Sequence, residues 1–449
     1  MQCPRPTLKR LSFKLLGENP VARTLLVSAL LAQSCLMMPA ASAQTDTVVL
    51  TDLHLIDGTG QPSITGATVV VQNGRILAAG PSDAVDVPVD AAVRSLAGKT
   101  IIPGLINSHG HAGGVRGLES GHYSTENLLR QLRLYASYGV TTVVSLGDDE
   151  APGFALRDAQ NSPGLDRSRL FVAGPVLSAA TPEQARTLVD ETAALQPDFL
   201  KIRVDDNLGR TPKMSPEVYR AFIQRAEYHN IPMAVHTYYL EDTRDVVAAG
   251  GDFVAHSVRD THVDDAFAQL LISREVCYTP TLTRELSTYV YEDEPAFFSD
   301  PFFLAGLDQP EILDTLRDPQ RQQRTRNNAA AQQYKASLPI AMANLKLLAD
   351  AGVTIAMGTD SGPPARFQGY FEHLEMSMMQ DAGLTPTQIL YSATGAAANC
   401  MGLTDIGTLQ PGNWADFIIL GQNPLQDINH TRSIEEVWIA GKAVPRPGF

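Results

Sequence analysis

The feature that most limits the fold of this chain is the alternation of short apolar segments with helical segments between residues 101 and 360. Strands that alternate with helices are typical of βαβ units, whose strands run parallel in one sheet. Eight strands are predicted, at 101–111, 140–146, 169–173, 199–204, 232–237, 253–258, 276–282 and 354–360. This α/β pattern agrees with a (β/α)8 TIM barrel, which needs eight such units over roughly 250 residues or more.

A doubly wound sheet is the alternative α/β architecture. Such sheets often bind phosphate through a glycine-rich loop after an early strand. Since no loop of this kind follows the early predicted strands, the sequence favours the barrel.

A long interval separates the last two predicted strands, and we predict an insertion in the barrel at about 283–335. Long insertions of this kind usually form lids or subunit contacts, so the chain is a possible homo-oligomer. The insertion is rich in aromatic residues, which either line a pocket or pack inside a lid: Tyr289, Tyr291, Phe297 and Phe298.

The regions on either side of the barrel have a β-rich pattern. Apolar runs flank Asn73-Gly74, which is a strong signal for a two-residue hairpin turn. Further apolar runs lie at 415–421 and 435–444. We therefore predict one small β-sandwich-like domain formed from 44–100 and 405–449, with the barrel occupying 101–404.

The first 43 residues resemble an export signal. Basic residues precede an apolar run, and the small residues Ala41 to Ala43 form a cleavage site. The apolar run is shorter than the ~18 residues that a membrane span requires. We expect a signal peptide at 1–43, cleavage near Ala43, a periplasmic location and no stable membrane span. Twin-arginine export and lipoprotein processing are poorer matches that remain open.

The charge of the chain limits its partners. The full sequence has a formal net charge of −14, and removing the signal would take away five basic residues and one acid. An acidic chain of this kind does not favour nucleic acid or anionic membranes, so we expect a small-molecule substrate. Only Cys277 and Cys400 would remain, which is too few for a disulfide scaffold, and their pairing is left open.

Potential metal ligands follow or end several of the predicted strands. Residues i and i+2 of a strand share a face, so His109 and His111 point the same way. Barrel enzymes place their chemistry at the carboxyl ends of the strands. Six residues fall there on five strands: His109, His111, Lys201, His236, His256 and Asp360. Any one of them alone would be read as a structural residue, but the six together predict a metal site.

Lys201 is unusual among these residues because an ammonium group repels a cation and is costly to bury unpaired. Burial or a cationic neighbour lowers the pKa of a lysine toward the neutral amine. A neutral amine can take up carbon dioxide and become a carbamate, which has the charge and shape of a carboxylate. Lys201 would then serve as N6-carboxylysine, a bridging ligand.

These motifs resemble the metal-dependent amidohydrolase superfamily, in particular its imidazolonepropionase-like and prolidase-like members. The resemblance rests on IDGTG, PGLINSHGH, FLKIRV, VHT, VAHS, GTDSG and GTLQPGNWADFIIL, and it covers nearly the whole mature chain. It implies that His109, His111 and Asp360 hold the more buried of two metals. Carboxylated Lys201 would bridge both metals, and His236 and His256 would hold the second.

Two divalent ions, with zinc the best match to these ligands, would ionise a shared water and polarise a substrate carbonyl. Asp360 is the predicted catalytic residue, which takes a proton from that water and returns it to the leaving nitrogen. Manganese, iron and cobalt remain open. Three further residues are candidates for substrate binding: Tyr238, Arg203 and His122.

We therefore predict an exported binuclear amidohydrolase that cleaves an amide-type C–N bond, with a dipeptide or an N-acyl amino acid as substrate. A lactone, ester or phosphotriester hydrolase on the same site is one alternative. A mononuclear cyclic-amide hydrolase and a binding or metal-storage protein are others. One departure from relatives is Asp148-Asp149 after the second strand, where many have Arg-Asp.

Overall fold

The structure, a computed structural model, describes residues 46–449. The predicted signal peptide at 1–43 lies outside the described residues. Within residues 46–449, no helix combines the length and the apolar character that crossing a membrane requires.

Strands occur throughout the described chain. In chain order they are β1 (Thr47–Leu55), β2 (Ile64–Gln72), β3 (Arg75–Pro81), β4 (Ala92–Ser95), β5 (Thr100–Pro103), β6 (Leu105–Gly110), β7 (Val115–Arg116), β8 (Glu119–Ser120), β9 (Val140–Ser145), β10 (Arg169–Val172), β11 (Val176–Leu177), β12 (Leu200–Arg203), β13 (Met233–His236), β14 (Phe253–Ala255), β15 (Cys277–Thr279), β16 (Phe417–Leu420), β17 (Ile434–Ile439) and β18 (Lys442–Ala443).

Helices alternate with the central strands. They are α1 (Thr125–Ser137), α2 (Ala151–Asp158), α3 (Pro182–Ala193), α4 (Pro216–His229), α5 (Leu240–Ala248), α6 (Asp265–Ser273), α7 (Leu282–Ser287), α8 (Pro301–Ala305), α9 (Ile312–Arg317), α10 (Pro319–Arg326), α11 (Ala329–Asp350), α12 (Tyr370–Asp381), α13 (Pro386–Ser392) and α14 (Gly395–Cys400). Short 3₁₀ helices cover Val290–Glu292, Ala296–Ser299 and Ile428–Arg432.

Strands from both ends of the described chain form one sheet in the order β18-β17-β16-β5-β1-β2-β3, with β4 also paired to β1. The predicted hairpin turn is confirmed, since Asn73 and Gly74 both have positive φ between β2 and β3. These strands form a single connected sheet, and the sandwich-like packing predicted from the sequence stays a prediction. Strand β1 has two partners along its other edge, β4 beside its first half and β5 beside its last residues. The change of partner follows Asp52, which has a positive φ.

The central strands form two parallel ladders, β10-β9-β6 and β11-β12-β13-β14-β15. Only residues 173–175 separate β10 from β11. Isolated parallel bridges join Tyr278 to Ile355 and Gly110 to Ser361, so the segment 355–361 links β15 with β6. The α/β class is therefore confirmed, and the two ladders, joined through 173–175 and 355–361, form a cycle of eight segments when β10 and β11 are counted as one.

The predicted strand at 101–111 is in fact two strands in different sheets. β5 pairs with β16 in the terminal sheet, whereas β6 pairs with β9. The chain changes sheet at Gly104, whose amide donates to the carbonyl of Asp416. A Cβ atom at Gly104 would lie 2.0 Å from Oγ1 of Thr141, so only glycine fits this crossing without movement.

The predicted insertion contains several short helices between β15 and α11. Three of its aromatic residues, Tyr291, Phe297 and Phe298, are buried in one apolar cluster that also contains Phe371 of α12, so they pack the insertion against the barrel helices. A disulfide joins Cys277 of β15 to Cys400 of α14.

Candidate metal centre

All six predicted ligands line one cavity, with a volume of about 490 Å³. His109 lies within β6, Lys201 within β12 and His236 at the end of β13. His111 and His256 directly follow β6 and β14, and Asp360 lies within the segment 355–361. Five of the six are buried and His111 is half-buried, so the fold brings distant parts of the chain to one shielded point.

Three of these residues form a compact group of donor atoms. One ligand atom from each of His109, His111 and Asp360 lies within 4.8 Å of the other two. Oδ1 of Asp360 is 2.9 Å from Nε2 of His111 and 3.7 Å from Nε2 of His109. This spacing allows one cation to contact all three side chains.

The other three residues adjoin this group. Nζ of Lys201 lies 3.3 Å from Nε2 of His109. The ring of His256 has its centroid 4.5 Å from that of His109 and 4.3 Å from that of His236. The six side chains are thus contiguous, with Lys201 and His256 both next to His109.

Partners outside this group orient three of the histidines. Nδ1 of His111 faces the carbonyl of Gly147 at 3.2 Å, and Nδ1 of His256 faces Oγ1 of Thr281 at 2.8 Å. Nε2 of His236 lies 2.8 Å from Oδ2 of Asp205. A histidine that donates one ring N–H in this way presents its other nitrogen as a ligand.

The electrostatic environment keeps most of these nitrogens unprotonated. Burial lowers the pKa of His236 to about 3 and holds the pKa values of His109 and His256 well below the ordinary value. Burial also lowers the pKa of Lys201 to about 7. Against the effect of burial, Arg366 and His111 hold the pKa of Asp360 well below its ordinary value. Unprotonated imidazoles and an ionised carboxylate are the forms that bind metal.

The donor set fits a divalent cation. Imidazole nitrogen and carboxylate oxygen are the ligands that zinc and related metals take in catalytic sites. Nδ1 of His109 is buried and has no hydrogen-bond partner in the described chain. Both nitrogens of that ring are costly to bury unless they meet a partner.

The structure places the three substrate-binding candidates differently. Arg203 lines the cavity and pairs with Asp205 at 3.1 Å. Tyr238 does not line it, because the chain leaves the strand direction after β13 and its buried hydroxyl bonds to Oγ of Ser337. His122 is also outside the lining and lies 3.7 Å from Glu119. Of the three, only Arg203 lines the cavity.

The two acids after the second barrel strand have separate positions. Asp148 is exposed and lines the cavity, whereas Asp149 is buried and accepts hydrogen bonds from the amides of Ala173 and Gly174. Asp149 therefore connects the segment after β9 to the segment after β10 and does not line the cavity.

Several functional residues were missed by sequence reasoning. Asp205 could have been predicted, because it continues the two-residue spacing of Lys201 and Arg203 that is typical of one face of a strand. Arg366, which hydrogen-bonds to Oδ2 of Asp360, lies in an irregular loop without a motif. Two buried acids of α12 near the site, Glu372 and Glu375, interrupt an apolar helix and had no distinct signal.

Comparison with known proteins adds to this picture. The model of the amidohydrolase family matches residues 100–444. Imidazolonepropionase from Streptomyces griseus subsp. griseus is 23% identical over 408 residues, which cover 86% of this chain and 93% of that protein.

Solved structures share the fold at low identity. A Xaa-Pro dipeptidase with methionine bound in its active site has a TM-score of 0.70 and 21% identity, covering 88% of this chain and 99% of its own. Ochratoxinase from A. niger has a TM-score of 0.69 and 19% identity, covering 89% of this chain and 96% of its own.

Proposed function

The chain belongs to the amidohydrolase family and is a hydrolase of carbon–nitrogen bonds, and we propose that it is an exported binuclear metalloenzyme acting on a dipeptide or an N-acyl amino acid. The family resemblance inferred from the motifs is confirmed. The observation that most supports the proposal is the contiguous group of four histidines, Lys201 and Asp360 at the base of one cavity. The cycle of eight paired segments supports a closed (β/α)8 barrel as its scaffold.

Each ligand has a proposed place. His109, His111 and Asp360 would hold one metal, and His236 and His256 the second, with carboxylated Lys201 shared between them. The low pKa of Lys201 supports the last assignment, because only a neutral amine reacts with carbon dioxide. When bound, two such cations supply an ionised water at neutral pH and polarise the substrate carbonyl.

Asp360 is the proposed proton carrier. Its carboxylate is buried at the base of the cavity and is kept ionised by Arg366 and His111. An ionised carboxylate at this position can accept a proton from the attacking water and return it to the leaving nitrogen. Arg366 limits the movement of the carboxylate, since it bonds both to Oδ2 of Asp360 and to Oγ of Ser287.

The substrate class rests on the charge and size of the cavity. Arg203 has a partly exposed side chain at the cavity wall, where a guanidinium can bind a substrate carboxylate. A volume of about 490 Å³ accommodates a small molecule. The dipeptidase with the same fold holds methionine in its active site, which favours substrates that yield an amino acid.

Export is proposed on two grounds. The sequence of residues 1–43 has the pattern of a signal peptide. Cys277 and Cys400 form a disulfide, and such bonds persist in oxidising compartments such as the periplasm. Self-association through the insertion stays a prediction, which light scattering of the purified chain tests.

Metal analysis and an activity panel test the proposal together. The mature chain is purified, its metal content is measured, and hydrolysis of dipeptides and N-acyl amino acids is followed before and after chelation. We expect about two metals per chain and cleavage that chelation abolishes and zinc restores. One metal and no cleavage of any linear amide would contradict the proposal and favour a cyclic amide, lactone or ester as substrate.

A further inference from the structure

Helix α12 contains two fully buried carboxylates, Glu372 and Glu375. They lie three residues apart and so occupy neighbouring positions on one side of the helix. In residues 46–449 neither of them forms an ion pair with a lysine or an arginine. Burying a carboxylate without a cation is costly, so the hydrogen bonds that these two side chains make need an explanation.

Glu372 joins the two chain segments that carry the three-ligand group. Its Oε1 accepts hydrogen bonds from Nδ2 of Asn107 at 2.6 Å, Oγ1 of Thr359 at 2.9 Å and Oγ of Ser361 at 2.6 Å. Thr359 and Ser361 are the two neighbours of Asp360, and Asn107 is two residues before His109. One carboxylate therefore fixes both sides of Asp360 relative to the strand of His109.

Asn107 extends this connection with its amide oxygen. Oδ1 of Asn107 accepts from the backbone amide of His109 at 3.0 Å and from that of Thr359 at 3.2 Å. The amide of Asp360 also donates to the carbonyl of His109 at 2.6 Å. The separation of His109 and Asp360 is thus set by a network that Glu372 completes.

Glu375 holds the chain next to His256. Its two oxygens accept from the amides of Leu282 and Thr283 at 2.7 Å each, and Oγ1 of Thr283 donates to it as well, at 2.7 Å. Thr281, the residue before Leu282, has a φ of 46° and faces Nδ1 of His256. Glu375 therefore fixes the turn from which Thr281 orients that histidine.

We propose that Glu372 and Glu375 are positioning residues of the metal centre, through which α12 sets the separation of His109 and Asp360 and the orientation of His256. The inference rests on the metal centre of the proposed function. Both oxygens of Glu375 accept hydrogen bonds, so a glutamine at that position would turn an N–H group toward a donor. At Glu372 all three donors meet Oε1, and Oε2 has no partner in the described chain, so only an apolar side chain removes the contacts.

The test measures metal binding rather than turnover. Zinc affinity is determined by competition with a chelator for the wild-type chain, Glu372→Leu and Glu375→Gln, and visible spectra are recorded after substitution with Co²⁺. We expect each variant to bind zinc about 10–100-fold more weakly, which is the usual effect of losing a residue that supports a ligand. The cobalt spectrum should change in both, because the ligands would no longer hold their arrangement.

His373 provides the matched control. It lies between the two acids, is buried, and bonds to the carbonyl of Tyr138 at 2.8 Å and to Oγ1 of Thr431 at 3.0 Å, away from the ligands. His373→Ala should lower thermal stability but keep the zinc affinity and the cobalt spectrum of the wild type. Loss of zinc affinity in this control equal to that in the variants of Glu372 and Glu375 would overturn the inference.

A milder variant covers the case in which Glu372→Leu does not fold. Ser361→Ala removes one donor to Glu372 and keeps the carboxylate, and it should weaken zinc binding in the same direction. Wild-type affinity and spectrum in Ser361→Ala and Glu375→Gln would overturn the inference. A wild-type chain that binds no zinc would instead contradict the metal centre itself, which is a separate result.

Discussion

Lys201 is the residue whose chemistry depends most on its surroundings. Burial lowers its pKa to about 7, so the neutral amine falls from about 90% at pH 8 to about 10% at pH 6. We expect the metal-free chain to regain activity about tenfold more slowly at pH 6 than at pH 8 when zinc and a fixed concentration of dissolved carbon dioxide are supplied. The rate is followed by withdrawing samples and assaying hydrolysis at one pH. A rate that depends on neither pH nor carbon dioxide would argue against carboxylation.

Asp205 is expected to act through His236. Against the effect of burial, the hydrogen bond from His236 lowers the pKa of Asp205, which keeps the acid ionised as a partner for that ring. Asp205→Asn should reduce zinc affinity by about 10–100-fold, because the asparagine can present an N–H to the same nitrogen and turn the ring.

Asp206 offers a control at the next position. It bonds to the hydroxyl of Tyr239 at 2.9 Å and to the amide of Gly209, and it does not contact a ligand. Asp206→Asn should bind zinc as the wild type does. Equal losses in the two variants would mean that the loop, not the contact with His236, controls affinity.

Residues were predictable from the sequence where a strand fixed their direction. The spacing of His109 and His111, and the strand ends at His236 and His256, were enough to predict a common cavity. Tyr238 was misplaced because the same spacing was applied beyond the end of β13, where the backbone turns. Arg366 could not be predicted, because its contact with Asp360 depends on the path of a loop.

At the scale of elements, we predict that the buried Glu375 of α12 gives the folded chain an unusual dependence of stability on pH. Burial raises the pKa of Glu375 from 4.5 to about 7. Between those values the folded chain binds a proton that the unfolded chain has lost, so this residue contributes less stability as the pH rises. Relative to Glu375→Gln, the metal-free wild type should lose stability between about pH 4.5 and 7 and change little above that range. Urea unfolding of both chains across this range measures the difference, and a wild type that gains stability relative to Glu375→Gln as the pH rises would contradict the prediction.

Elements were predicted where an apolar run was bounded by turn residues. The hairpin at Asn73-Gly74 and the run 140–146, found as β9, illustrate this. The run 101–111 was predicted as one strand because apolar pattern does not show which sheet a residue joins. Its division at Gly104 depends on partners more than 300 residues later in the chain, which local sequence cannot specify.

At the scale of the whole molecule, the disulfide should contribute to global stability. It joins residues separated by 123 positions, and a crosslink over so long a segment restricts the unfolded chain. Replacing Cys277 and Cys400 by serine should lower the free energy of unfolding by about 2–4 kcal/mol, measured by urea unfolding. Reductant should destabilise the wild type by a similar amount and leave the double variant unchanged. Equal stability of the oxidised and reduced chains would show that the crosslink adds nothing.

The shared terminal sheet has a consequence for the order in which the molecule can be completed. β5 is made early in synthesis, but its neighbour β16 lies more than 300 residues later. Until β16 is made, one edge of β5 and the apolar residues Ile101 and Ile102 have no partner from that strand. An unpaired apolar strand edge favours aggregation. A chain that ends before residue 416 would therefore keep that edge of β5 unpaired, so the sheet begun by the first strands is completed only after the last strands have been made.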